Sequence, residues 1–132
     1  MAYDVLTLSI SIERPWQDVY EAIWQPLDFP KWASGLSAAR LRLDNGQWLA
    51  DGPDGPVKLR FTSHNAFGIM DHWVDPGLGS EIYVPMRVVA NGDGAEVSLT
   101  LFRQPGMTEE QLSADAEWMQ GDLQALKQML TG

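Results

Sequence analysis

The segment Thr108–Leu130 reads TEEQLSADAEWMQGDLQALKQML. Leu112, Ala116, Met119, Leu123, Leu126 and Leu130 follow one another at steps of four, three, four, three and four residues. At 3.6 residues per turn, such steps keep all six side chains on one side of a helix. Thr108 and Gln111 have the spacing of a capping box, which satisfies backbone N–H groups that have no partner inside the helix. Trp118, Ala125 and Met129 widen the apolar side, while Glu117, Gln120, Gln124, Lys127 and Gln128 populate the wet one. A helix with such a stripe must bury it, and the only large partner the rest of the chain offers is a sheet.

That sheet is legible in the preceding residues. In Val5–Glu13, VLTLSISIE, Leu6, Leu8, Ile10 and Ile12 alternate with Thr7, Ser9 and Ser11, the period of a half-buried strand. The period then changes. Pro15 suits the first position of a helix, and Trp16, Val19, Tyr20, Ile23 and Trp24 supply its apolar face. Pro26 stops it, and Leu27–Ser34 (LDFPKWAS) reads as a short second helix. From Gly35 onward the pattern is β. Ala38–Leu43 and Gln47–Ala50 flank the hairpin signal Asp44-Asn45-Gly46. A turn cluster follows at 51–56, then strands at Val57–Thr62, Phe67–Val74, Glu81–Ala90 and Glu96–Arg103. Within Glu81–Ala90, Ile82, Val84, Met86 and Val88 form the inward face, with Tyr83 and Arg87 outward. The expected architecture is a single α+β domain over 1–132, ordered β-α-α-β(5–6)-α, with a curved antiparallel sheet around the long C-terminal helix.

Bulk composition narrows the function. There are 9 Lys and Arg against 18 Asp and Glu, a formal charge of −9, which repels phosphate backbones and anionic bilayers. Neither nucleic acid nor membrane is expected as a partner. Cysteine is absent, which removes disulfides, thiolate nucleophiles and Cys-based metal sites. No metal and no cofactor is expected. The first residues have neither the basic nor the apolar region of a secretory signal, so cytoplasm is the expected compartment.

Three stretches carry a resemblance. They are Ile12-Glu13-Arg14-Pro15-Trp16-Gln17-Asp18-Val19-Tyr20, Phe29-Pro30-Lys31-Trp32, and Asp122-Leu123-Gln124-Ala125-Leu126-Lys127. In their order and spacing the chain resembles the START-like superfamily, also called SRPBCC, helix-grip or polyketide cyclase/dehydrase-like. The likeness covers nearly the whole sequence. It implies a seven-stranded sheet gripping the last helix with a cavity between them. It also implies binding of hydrophobic molecules such as lipids, sterols, polyketides or plant hormones, with some members acting as aromatases or cyclases. A fold of this kind does not by itself settle function.

No GxSxG, HExxH, phosphate loop or dinucleotide fingerprint is present. Asp71-His72 is the most suggestive polar pair. It sits mid-strand, where neighbours point to opposite faces, so only one of the two can face the cavity and act there as an acid or base; the plainer reading is that one lies at the surface and the other is a satisfied hydrogen-bonding residue. The expected cavity wall is Trp24, Trp32, Leu59, Phe61, Met70, Trp73, Met86, Val88, Leu99, Trp118, Met119 and Leu123. Flat indoles and adaptable thioethers suit ring-shaped or aliphatic ligands, although the same residues also make ordinary core. Three functions compete. The first is binding of a small hydrophobic or aromatic molecule by a monomer or homodimer. The second is a polyketide cyclase/dehydrase-type reaction using Asp71 or His72, and the third is a protein-interaction adaptor.

Overall fold

The alternation in the first residues forms β1 (Val5–Ile12) in the computed structural model, which describes residues 1–52, 55–77 and 79–131. Ile10 and Ile12 are buried, while Thr7, Ser9 and Ser11 face solvent. Helix α1 (Trp16–Ile23) follows, with Pro15 capping it instead of opening its first turn, and buries Val19, Tyr20 and Ile23. The expected second helix is a 3₁₀ segment (Pro26–Lys31) followed by a separate short helix, α2 (Ser34–Ala38).

Seven further strands are seen among the described residues. They are β2 (Arg42–Asp44), β3 (Gln47–Gly52), β4 (Gly55–Phe61), β5 (His72–Asp75), β6 (Ile82–Val84), β7 (Met86–Asn91) and β8 (Gly94–Phe102). Helix α3 (Glu109–Thr131) closes the order. All pairings between these strands are antiparallel. The α+β helix-grip expectation holds, with three local corrections.

The first correction is the strand count, seven after the helices against an expected five or six. Pro85 divides Glu81–Ala90 into β6 and β7, because proline has no N–H to give to a ladder. The break also divides the β structure into a five-stranded sheet, β2-β3-β4-β5-β6, and a three-stranded sheet, β1-β8-β7. Backbone bonds cross the seam from Met70 N–H to Met86 O and from Thr100 N–H to Pro85 O.

The second correction lies at Phe67–Val74, where the ladder begins only at His72. The Asn65 side chain folds the preceding residues into a turn. Its Oδ1 accepts from the N–H groups of Phe67 and Ile69, and its Nδ2 donates to Ile69 O. Gly68 at φ +69° completes the turn, and a Cβ there would lie 2.1 Å from Val88 O. Third, the strand expected at Ala38–Leu43 is shortened to β2, because α2 occupies its start and Arg40 takes a positive φ of 55°. The part of the 51–56 turn cluster at Pro53 and Asp54 lies outside the described residues.

Helix α3 starts as its sequence dictates. Thr108 N–H donates to Gln111 Oε1 at 2.8 Å, and Gln111 N–H donates to Thr108 Oγ1 at 3.1 Å. Its stripe packs against β1 and β8, with Leu123 and Leu126 fully buried among Ile10, Ile12, Val97 and Leu99. Burial of each such side chain stabilises the fold by roughly 1.5–3 kcal/mol. Trp118, Ala125 and Met129, expected to widen the buried face, stay exposed at its margin.

Candidate functional site

A cavity of about 210 Å³ lies where three layers fail to meet. Phe29, Trp32, Ala33 and Leu36 close it from the 3₁₀ segment and α2. Leu59 of β4, His72 and Val74 of β5, Val84 of β6 and Leu99 of β8 form its floor. Trp118, Met119 and Asp122 of α3 form the third wall. Trp32, Trp118 and Asp122 also line an open groove outside, with Lys31, Glu117 and Gly121, so these three residues stand at the mouth.

The lining is apolar except at His72 and Asp122. Helix α3 supplies Asp122 because residues 118, 119, 122 and 126 share one side of a helix. Its Oδ1 accepts from the Ser34 hydroxyl at 2.8 Å and from the Ser34 N–H at 3.3 Å. His72 is only 7% exposed. Its ring stacks on Phe61 at 6.0 Å and stands edge-on to Phe29 at 5.3 Å. Its Nδ1 lies 3.1 Å from Met70 O. A carbonyl only accepts, so Nδ1 carries the proton and Nε2 keeps a lone pair. Burial pushes the His72 pKa below the usual imidazole value, against a smaller opposing effect of the Met70 carbonyl. The ring is therefore neutral at pH 7.

Asp71 has the opposite orientation and is also buried, at 6% exposed. Tyr83 O–H donates to its Oδ2 at 2.7 Å, Met86 N–H donates to its Oδ1 at 3.0 Å, and Arg87 Nη1 pairs with Oδ1. Asp71 thereby ties β6 to β7 across the Pro85 break. Of the Asp71-His72 pair, His72 is the one on the cavity wall.

Solved structures share this architecture across nearly the full length. XoxI from Bacillus cereus superimposes with a TM-score of 0.73 at 17% identity, covering 98% of this chain and 95% of that one. Ara h 8.0201 gives 0.63 at 12% identity, covering 97% of both. DynU16, a protein of the dynemicin biosynthetic locus, gives 0.68 at 17% identity over 96% of this chain. The chain has the helix-grip fold. It spans about half of DynU16, 47% of that chain. No protein-family model and no curated protein matches the sequence.

The cavity gathers some of the expected residues and leaves others elsewhere. Trp32, Leu59, Leu99, Trp118, Met119 and His72 line it. Met70, Met86, Val88 and Leu123 are instead packed solid beneath it in the core. Phe61 stands one layer behind, 4.9 Å from Phe29 and 5.8 Å from Trp48. Trp24 packs on His64 at 4.7 Å. Trp73 faces outward, stacked on Tyr83 at 5.3 Å beneath the Arg60 guanidinium at 4.5 Å. Alternation along β5 requires this, since His72 and Val74 point inward on either side of it. Arg87 also faces outward, as its strand pattern implies.

Sequence reasoning missed Phe29, Ala33, Gly35, Leu36, Val74, Val84 and Asp122. The strand alternation carried the signal for Val74 and Val84, and Asp122 stands out as a carboxylate inside an apolar helix stripe. Nothing local marked Ala33, Gly35 or Leu36. Among the described residues, no group of three or more His, Asp or Glu is arranged to hold a metal ion, and no helix is long and apolar enough to cross a membrane.

Proposed function

We propose that this START-like domain binds a small hydrophobic or aromatic molecule in the cavity between the sheet, α2 and α3. The observation that carries the reading is an apolar space of about 210 Å³ bounded by Phe29, Trp32, Trp118 and Met119. Apolar cavities of roughly 150 Å³ stay dry and accept a benzene ring. Drug-sized sites begin at about 300 Å³, so the size favours one ring or two small fused rings over a sterol or long acyl chain. Titration of tryptophan fluorescence with a panel of one- and two-ring compounds tests it, because Trp32 and Trp118 both border the space. Saturable quenching that is lost when the cavity is filled supports the proposal, and an unchanged spectrum across the panel removes it.

A second reading is a cyclase or dehydrase in which His72 moves a proton. It is favoured by one observation, a neutral imidazole whose Nε2 has no hydrogen-bond partner among the described residues, on a wall that is apolar apart from it and Asp122. Such a group is suited to act as a general base near pH 7. Asp71, considered for the same role, has both carboxylate oxygens occupied by donors. Proton exchange at an activated C–H of a small ring ketone, followed by NMR in heavy water, tests the reading. It fails if His72→Phe exchanges as fast as the parent.

A further inference from the structure

Apart from the Trp32 Nε1–H, which has no partner but is closed off from the space, the unpartnered side-chain polar atoms of the cavity wall share one character. His72 Nδ1–H is committed to Met70 O, which leaves Nε2 as an acceptor. Asp122 Oδ1 is committed to Ser34, and Oδ2 takes no hydrogen bond from any described residue. Both residues are more than nine-tenths buried. Trp32 and Trp118 do not balance them with donors. The Trp32 Nε1–H is sealed inside protein, and Trp118 is 62% exposed at the mouth. The cavity therefore presents acceptors to its occupant.

Building on the ligand-binding proposal, we infer that the occupant is a compact ring molecule that donates hydrogen bonds, a phenol being its simplest form. A hydroxyl placed against His72 Nε2 or Asp122 Oδ2 satisfies an acceptor that apolar neighbours leave bare. An ether or ketone oxygen in the same place sets lone pair against lone pair. A carboxylate fares worse, since it meets the Asp122 charge in a medium that screens poorly.

Isothermal titration of the full chain at pH 7.5 with phenol, anisole, toluene and benzoate tests this. Anisole keeps the ring and the oxygen but loses the donor, and its methyl group adds apolar area. A preference for phenol therefore cannot come from hydrophobic burial. Phenol is expected to bind about fivefold more tightly than anisole, the size of one hydrogen bond to a charged acceptor such as the Asp122 carboxylate after allowing for the methyl group, and benzoate not at all. The preference should fall towards one in His72→Phe or in Asp122→Asn, each checked for folding by circular dichroism. The parent ratio is decisive if a variant does not fold. Toluene and anisole binding as well as phenol would overturn the inference and leave the cavity proposal standing. If none of the ring compounds binds, the cavity proposal falls and this inference falls with it.

Discussion

Asp122 Oδ1 accepts two hydrogen bonds from Ser34, one from its hydroxyl at 2.8 Å and one from its backbone N–H at 3.3 Å. The contact joins α3 to the start of α2 and so fixes the segment that roofs the cavity. Asp122→Ala takes the acceptor from the N–H and hydroxyl of Ser34, which is itself exposed so that water can replace it in part, at an expected cost of about 1–2 kcal/mol. Ser34→Ala removes only the hydroxyl and should cost about 1 kcal/mol. Urea unfolding measures both, and the double variant should cost less than the sum because the two residues share one interaction. Additive losses would show that the contact does not hold α2 in place.

Asp71 gives a second test of stability. Its carboxylate gathers Tyr83 O–H, Met86 N–H and Arg87 at the Pro85 break between the sheets. Asp71→Ala should destabilise the domain by about 2–3 kcal/mol, with the Arg87 contribution limited by its partial exposure. Replacing Arg87 alone by Met should cost less than about 1 kcal/mol for the same reason. Denaturation midpoints decide the order, and the site would be reinterpreted if Arg87→Met proved the more damaging.

His72 sets a pH dependence. Its folded pKa is depressed by burial, while the unfolded chain titrates near the ordinary value of about 6.5. The unfolded state therefore binds the proton first as pH falls. Stability should be full above pH 6.5, decline as pH drops through that value, and stop declining below the folded pKa. Denaturant midpoints measured from pH 8 to pH 5 should show this slope in the parent. His72→Phe should flatten it.

Filling the cavity separates binding from folding. Val74 lies on its floor, half-buried, so Val74→Phe directs a ring into existing space. The larger side chain should change stability by less than about 1 kcal/mol, because it need not push packed neighbours aside. Ring-compound binding should fall below detection by tryptophan fluorescence. Full binding in a stably folded Val74→Phe protein would place the ligand elsewhere.

Local patterns explain how much of this was legible in the residues. The four-three stepping from Leu112 to Leu130, the alternation Ile10-Ser11-Ile12 and the Thr108–Gln111 cap each act within a few residues, so sequence alone determined α3, β1 and the inward face of Val84, Met86 and Val88. Proline at 85 and the Asn65 side chain were visible too, but their effect on strand ends depended on partners far along the chain. The cavity was a different matter. Whether an inward side chain fills space or borders it depends on what arrives from opposite it. Leu123 is sealed in the same buried cluster as Ile12 and Val97, whereas Met119, one turn earlier, borders the gap that Phe29 and Leu36 also line. Residues 29, 59, 99 and 118 meet only after folding, and only tertiary structure chose which of them left a space. The physical reason is that periodicity fixes the direction of a side chain, while a void is the volume left over between several.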